Sequence, residues 1–213
     1  MYYMEPMDET QILYSIEDYQ EATLKIKRSV FTCRLARVAD IEAAKQFISR
    51  ISKENKTATH NCWAYVLGDQ GQIMHSSDAG EPSGTAGKPM LNTLLKNQLT
   101  QVTAVVTRYF GGVKLGVRGL MDAYSESVQA AIDMKKRLEW VNTVLFRVEL
   151  PYEFNDILLN QVAPFLFRIK DSAYMDTIVH LFEIRQSESE NAAKLLEGYA
   201  SMGKLKFERA QKF

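Results

Sequence analysis

The sequence predicts an α+β protein in two domains, and three observations carry that prediction. Stretches whose apolar residues alternate, as strands require, are interleaved with stretches whose apolar residues recur every three or four positions, as helices require. Near residue 140 the order changes, and a separate βαββαβ succession fills the rest of the chain, which is a ferredoxin-like order. A length of 213 residues suits two small domains. The expected division is 1–139 and 140–213.

Residues 1–20 are polar, acidic and tyrosine-rich without a sustained period, and read as an arm or a short helix. From Ala22 the apolar positions alternate, Leu24 and Ile26 on even numbers and Phe31, Cys33 and Leu35 on odd ones. The change of phase near Arg28-Ser29 predicts a bulge or a break into two strands. Asp40 suits the N-cap of a helix whose stripe is Ile41, Ala44, Phe47, Ile48 and Ile51. Asn61 to Leu67 reads as a strand apolar on both faces, closed by Gly68-Asp69-Gln70-Gly71 and followed by a hairpin partner at Ile73 to Ser76. Pro89 opens a helix that buries Met90, Leu91, Leu94 and Leu95. Val102 to Thr107 is the most strand-like run, and a long helix is expected from Gly119 to about Arg137. Beyond residue 140, strands are expected around Val144 to Val148, Phe165 to Tyr174, Thr177 to Ile184 and Lys204 to Phe207. Helices are expected over Phe154 to Val162 and from Ser187 through Tyr199.

The composition excludes several function classes. Lysine plus arginine and aspartate plus glutamate balance at 26 each, so no global field draws the chain to nucleic acid or an anionic membrane. Any such binding needs a local basic patch. Cys33 and Cys62 do not form a disulfide framework and suit a reducing cytoplasm. No apolar run approaches the ~18 residues of a membrane span, and Glu5, Asp8 and Glu9 replace the basic start of a signal peptide. The expectation is a cytoplasmic protein without a membrane partner.

Seven of the eleven glycines lie between Gly80 and Gly119, in two loops that each join a strand to a helix. The first contains Gly84-Thr85-Ala86-Gly87-Lys88-Pro89. Unpaired N–H groups at a helix start attract anions, and Lys88 and Thr85 add a charge and a hydroxyl. The Gly-x-x-x-x-Gly-Lys-Ser/Thr order of a P-loop is absent. The alternative is a tight loop whose glycines only satisfy turn geometry. The second loop interleaves Arg108, Lys114 and Arg118 with Tyr109 and Phe110, the combination of charge and π faces that single-stranded nucleic acid asks for. Against that stands a core plug at Tyr109 or Phe110 with solvated cations. For catalysis, His60 and Cys62 share a strand face but stand roughly 6 to 7 Å apart along it, so a buried Cys62 competes with a nucleophile. Asp78 and Glu81 could be an acid–base pair or could cap loop N–H groups. No recognised metal spacing links these residues, and nothing points to a cofactor.

Three long stretches occur in one order: Ala58-Thr59-His60-Asn61-Cys62-Trp63-Ala64, then Ser76-Ser77-Asp78 through Gly87 and Pro89, then Val106-Thr107-Arg108-Tyr109-Phe110-Gly111-Gly112-Val113-Lys114-Leu115-Gly116. With Lys27-Arg28-Ser29-Val30-Phe31 before them, they resemble the IMPACT family, in its YigZ-like bacterial two-domain branch, over about residues 20–135. The resemblance implies a ribosomal-protein-like α/β two-layer N-terminal domain whose motif loops line one concave face. It implies a C-terminal domain like one in an elongation factor. It also implies a link to translation, with RNA, the ribosome or a translation-regulatory protein as partner, and no established reaction. The implied binding surface is His60, Asn61, Asp78, Gly80, Glu81, Ser83, Gly84, Thr85, Gly87, Lys88, Arg108, Tyr109, Phe110, Gly111, Gly112, Lys114 and Gly116. This chain departs from the family pattern at Arg118, which stands for a glycine, and at Asp122, which stands for an arginine. Four residues apart, the two are expected to add a local ion pair if the helix starts that early.

Overall fold

The computed structural model describes residues 12–210, so Met1–Gln11, with most of the expected N-terminal arm, lie outside the described residues. The chain divides into two compact units, Met1–Trp140 and Val141–Phe213.

In the first unit the strands are β1 (Leu13–Ser15), β2 (Tyr19–Ile26), β3 (Ser29–Arg37), β4 (His60–Leu67), β5 (Ile73–Ser77), β6 (Val102–Tyr109) and β7 (Leu138–Trp140), and the helices are α1 (Ile41–Glu54), α2 (Gly87–Lys96) and α3 (Gly116–Ile132). Five strands form one antiparallel sheet in the order β2-β3-β6-β4-β5. Alternation along the strands gives it two apolar faces. One face, with Phe31, Cys33, Cys62, Ala64, Ala104 and Val106, packs under Met90 and Leu94 of α2 and Tyr124 and Val128 of α3 in the main core. The other, with Ala36, Trp63, Tyr65 and Val105, packs under Ala44, Phe47 and Ile51 of α1. The strand that reads as apolar on both faces is therefore buried on both.

The phase change near Arg28 is a tight hairpin. Ile26 pairs with Ser29, and the two residues between, Lys27 and Arg28, both have positive φ, 44° and 70°. Such turns usually carry Asn or Gly, so the residue types did not announce this one. The helix expected from Gly119 begins at Gly116 and stops at Ile132, because the chain beyond it is needed for β7, which pairs with β1 from Leu13↔Trp140 to Ser15↔Leu138. Arg137, at that turn, donates to the Asn97 carbonyl oxygen at 3.1 Å and lies over the Tyr14 ring.

The second unit runs β8 (Thr143–Leu150), a 3-10 turn at Tyr152–Phe154, α4 (Asn155–Val162), β9 (Leu166–Tyr174), β10 (Ile178–Arg185), a 3-10 turn at Gln186–Glu188, α5 (Ser189–Ser201) and β11 (Lys206–Ala210). Its sheet order is β11-β8-β10-β9, all antiparallel, the ferredoxin-like arrangement. Phe146, Val148, Phe182 and Ile184 of the sheet pack against Leu158 and Val162 of α4 and Ala192 and Leu196 of α5.

Candidate functional site

At one end of the first unit's sheet, β4 begins and β6 ends in register, with His60 opposite Arg108, and Phe31 of β3 opposite Arg108 on the other side. Alternation puts His60, Cys62 and Arg108 on the face covered by α2 and α3, and Asn61, Thr107 and Tyr109 on the face covered by α1. The implied binding residues are thus split between two faces. Asn61 accepts from the Thr107 hydroxyl at 2.8 Å and donates to the Asn55 carbonyl oxygen at 3.2 Å. It belongs to a polar network under α1, away from the glycine-rich loops.

The first loop closes on itself through Asp78. One carboxylate oxygen accepts from the Gly84 N–H at 2.8 Å, and the other from the Ala86 and Gly87 N–H groups at 2.9 and 2.8 Å. Burial pushes this carboxyl up, and the Gly84, Gly87 and Ala86 donors outweigh it, so Asp78 titrates below its ordinary value. The N–H groups at the start of α2, where the residues suggest an external anion, already hold a carboxylate of the chain itself. Gly84, Ala86 and Gly87 therefore cradle Asp78. The Thr85 hydroxyl, buried, donates to the Pro82 carbonyl oxygen at 2.7 Å. A Cβ on Gly87 would meet the Ser77 backbone at 2.8 Å, so the glycine is required by the loop's own closure. Ser83 and Lys88 remain exposed on the outside of this loop.

Glu81 and Arg108 are both buried and bind each other. Arg108 Nη1 donates to Glu81 Oε1 at 2.5 Å, and the Tyr124 hydroxyl of α3 donates to the same oxygen at 2.9 Å. The guanidinium is sandwiched between the Phe31 and Phe110 rings, 5.3 and 5.4 Å from their centroids. Below Tyr124, the Cys62 thiol lies 2.9 Å from the Asp78 carbonyl oxygen and 3.3 Å from the Tyr124 hydroxyl, either of which can accept its one proton. Burial pushes the Cys62 pKa up to about 12, so it is not the thiolate that a Cys–His nucleophile needs. Burial likewise raises the Tyr124 phenol. His60 closes the entrance: Nδ1 is 3.0 Å from the Ala79 carbonyl oxygen and Nε2 3.8 Å from Glu81 Oε2. With Asp78 and Glu81 both engaged, an acid–base reading loses two of its groups. This chain of Cys62, Tyr124, Glu81 and Arg108 fastens the first loop to the second.

The second loop carries the exposed groups. Tyr109 and Phe110 are 38% and 46% exposed, but on opposite sides of the sheet end. Tyr109 directs its hydroxyl to Asn55 at 3.4 Å, while Phe110 covers Arg108. Gly112, Lys114 and Arg118 are exposed as well. Gly80, Gly84, Gly112 and Gly116 have positive φ. Gly111 is needed for a different reason: a Cβ there would stand 1.9 Å from the Arg28 carbonyl oxygen. The β2–β3 hairpin tip therefore rests on the second loop, and it brings exposed Lys27 and Arg28 to the loop that carries Lys114 and Phe110. The residue types offered one signal for that neighbour, the Lys27-Arg28-Ser29 run, and none for Tyr124. Arg118 and Asp122 both lie on α3 one turn apart and are exposed, yet the expected ion pair is not among those formed by the described residues.

The fold and site define a class: a two-domain α+β protein whose first unit locks two glycine-rich loops together over a buried Glu–Arg pair. The comparisons with known proteins agree. The family model described as the Impact N-terminal domain matches residues 27–132. IMPACT family member YvyE of Bacillus subtilis is 37% identical over 180 residues, covering 84% of this chain and 82% of that protein. IMPACT family member YigZ of Escherichia coli is 46% identical over 110 residues, covering 51% and 54%. A solved structure described as a hypothetical protein shares 30% identity at a TM-score of 0.63, over 96% of this chain and all of the other. The chain belongs to the IMPACT family.

Proposed function

We propose that this protein is a cytoplasmic, translation-linked regulator that binds an anionic partner, RNA first among them, through the rim formed by the second loop and the β2–β3 hairpin tip. Translation enters through the family. The anionic partner rests on one observation of this chain. Residues 22–39 and 82–121 contain no aspartate or glutamate, and the hairpin contact at Gly111 joins these two stretches into a rim with Lys27, Arg28, Lys114 and Arg118. A neutral molecule thus carries a local excess of positive charge, with the half-exposed Phe110 ring on the same loop as a face for a base. The glycines, Asp78, Glu81 and Arg108 shape this rim and do not touch the partner.

Fluorescence anisotropy with a single-stranded RNA at two salt concentrations tests the proposal. Lys27→Ala with Arg28→Ala, and Lys114→Ala, are expected to weaken binding and to lower the salt slope by roughly one for each phosphate that is no longer neutralised. Phe110→Ala should weaken binding with the slope unchanged. No RNA binding, or binding indifferent to all of these variants, overturns the RNA reading. A protein partner is the second reading, favoured by exposed Val117 and Met121, one turn apart on α3 beside Lys114 and Arg118. A partner that stays bound after nuclease treatment and is released by Val117→Ser with Met121→Ser selects it.

A further inference from the structure

The second unit carries an apolar patch that the proposed function does not use. Tyr152, just before α4, is 50% exposed, and Tyr174 and Met175, at the end of β9 and in the turn after it, are 63% and 69% exposed. The Tyr152 hydroxyl donates to the Met175 carbonyl oxygen at 2.9 Å, so the two segments are in contact. Beneath them, buried His180 of β10 ties the same segments together: Nε2 is 2.8 Å from Asn155 Oδ1, Nδ1 is 2.7 Å from the Ser172 hydroxyl, and the Tyr174 ring stands edge-on to the imidazole. The patch is held in shape before anything binds, which lowers the ordering cost of a complex. Large apolar side chains gathered half or more in water mark an interaction surface.

The charges select the kind of partner. No lysine or arginine lies between Arg147 and Arg168 or between Lys170 and Arg185, whereas Glu153, Asp156 and Asp176 flank the three apolar residues in sequence and are exposed. The charges on the patch's own two segments are acidic, and exposed Lys204 and Lys206 lie at the same sheet end but across β8, at the start of β11, so a cationic partner is favoured over nucleic acid or anionic lipid at the patch itself. We propose that this patch docks a basic amphipathic segment of a partner protein, seating an apolar side chain among Tyr152, Tyr174 and Met175 and placing lysines or arginines over Glu153, Asp156 and Asp176. The inference stands apart from the RNA reading, because it uses other residues in another unit and a partner of opposite charge.

Anisotropy of a labelled helical peptide of leucine and lysine at amphipathic spacing, titrated with the full chain, tests it. Binding is expected, weakening as salt is raised. It should fall about tenfold or more with Tyr174→Ser plus Met175→Ser. Because these side chains point into water, the fold should persist, and Asp156→Lys plus Asp176→Lys provides a second, independent loss of affinity. The proposal is overturned if no peptide binds, if a glutamate version of the same peptide binds as well, or if both double variants keep full affinity. Self-association of the chain that disappears with the same variants also overturns it, by assigning the patch to a second copy.

Discussion

Glu81 shows why individual residues were the least legible part of the sequence. An acid on a glycine-rich loop reads as a surface group, because nothing in its neighbourhood announces Arg108, 27 positions away, or Tyr124, 43 positions away. The residue types at the site were visible, and their burial was not. Burial changes what a substitution does. Glu81→Gln leaves the Arg108 cation buried without its counter-charge, and breaking a buried pair from one side costs about 3 to 5 kcal/mol. Urea denaturation should show a loss of that order. Adding Arg108→Met should restore part of it, giving a favourable coupling in the double-mutant cycle. Losses that simply add would place the two side chains in separate environments.

At the scale of elements, strands and helices with clear periods were legible, and boundaries set by non-local partners were not. β2 and β3 read as alternating runs, but their hairpin was hidden because Lys27 and Arg28 take a conformation that Asn and Gly usually mark. β1 and β7 escaped notice because three-residue strands have no measurable period and are set by distant partners, β7 by β1, and β1 also by the bridge from Tyr14 to Leu99. The glycines of the second loop likewise looked alike until the hairpin was placed. Gly111→Ala drives a methyl group into the Arg28 carbonyl, whereas Gly84→Ala meets no atom within 4 Å and strains only its backbone at φ +76°. Overpacking of the first kind costs about 1 to 3 kcal/mol or more, and a left-handed alanine about 1 to 2 kcal/mol. Thermal unfolding should therefore rank Gly111→Ala at or below Gly84→Ala, and Gly111→Ala alone should weaken RNA binding, because it detaches the hairpin tip from Phe110 and Lys114.

For the molecule as a whole, the two-domain α+β class was readable because both units bury ordinary amphipathic elements, while the charge pattern was hidden by a net charge of zero. Acid should act on the second unit through one buried histidine. Burial lowers the pKa of His180 below its ordinary 6.5. The unfolded chain then takes up a proton before the folded one does, so the second unit keeps this stability above pH 6.5 and loses it as pH falls through 6.5 toward the folded value, where the loss levels off. Tm measured across pH 7.5 to 5 should decline through this window, and His180→Gln should flatten the decline. An unchanged profile in that variant would assign the acid sensitivity to other groups. The ribbon of β1 and β7 has a bearing on synthesis. Leu13 waits for Trp140, so the first unit cannot complete its pairing until nearly two-thirds of the chain has been made. Until that moment the earliest described strand holds only its bridge from Tyr14 to Leu99, and the first unit, although translated first, completes its pairing only as the second begins to emerge.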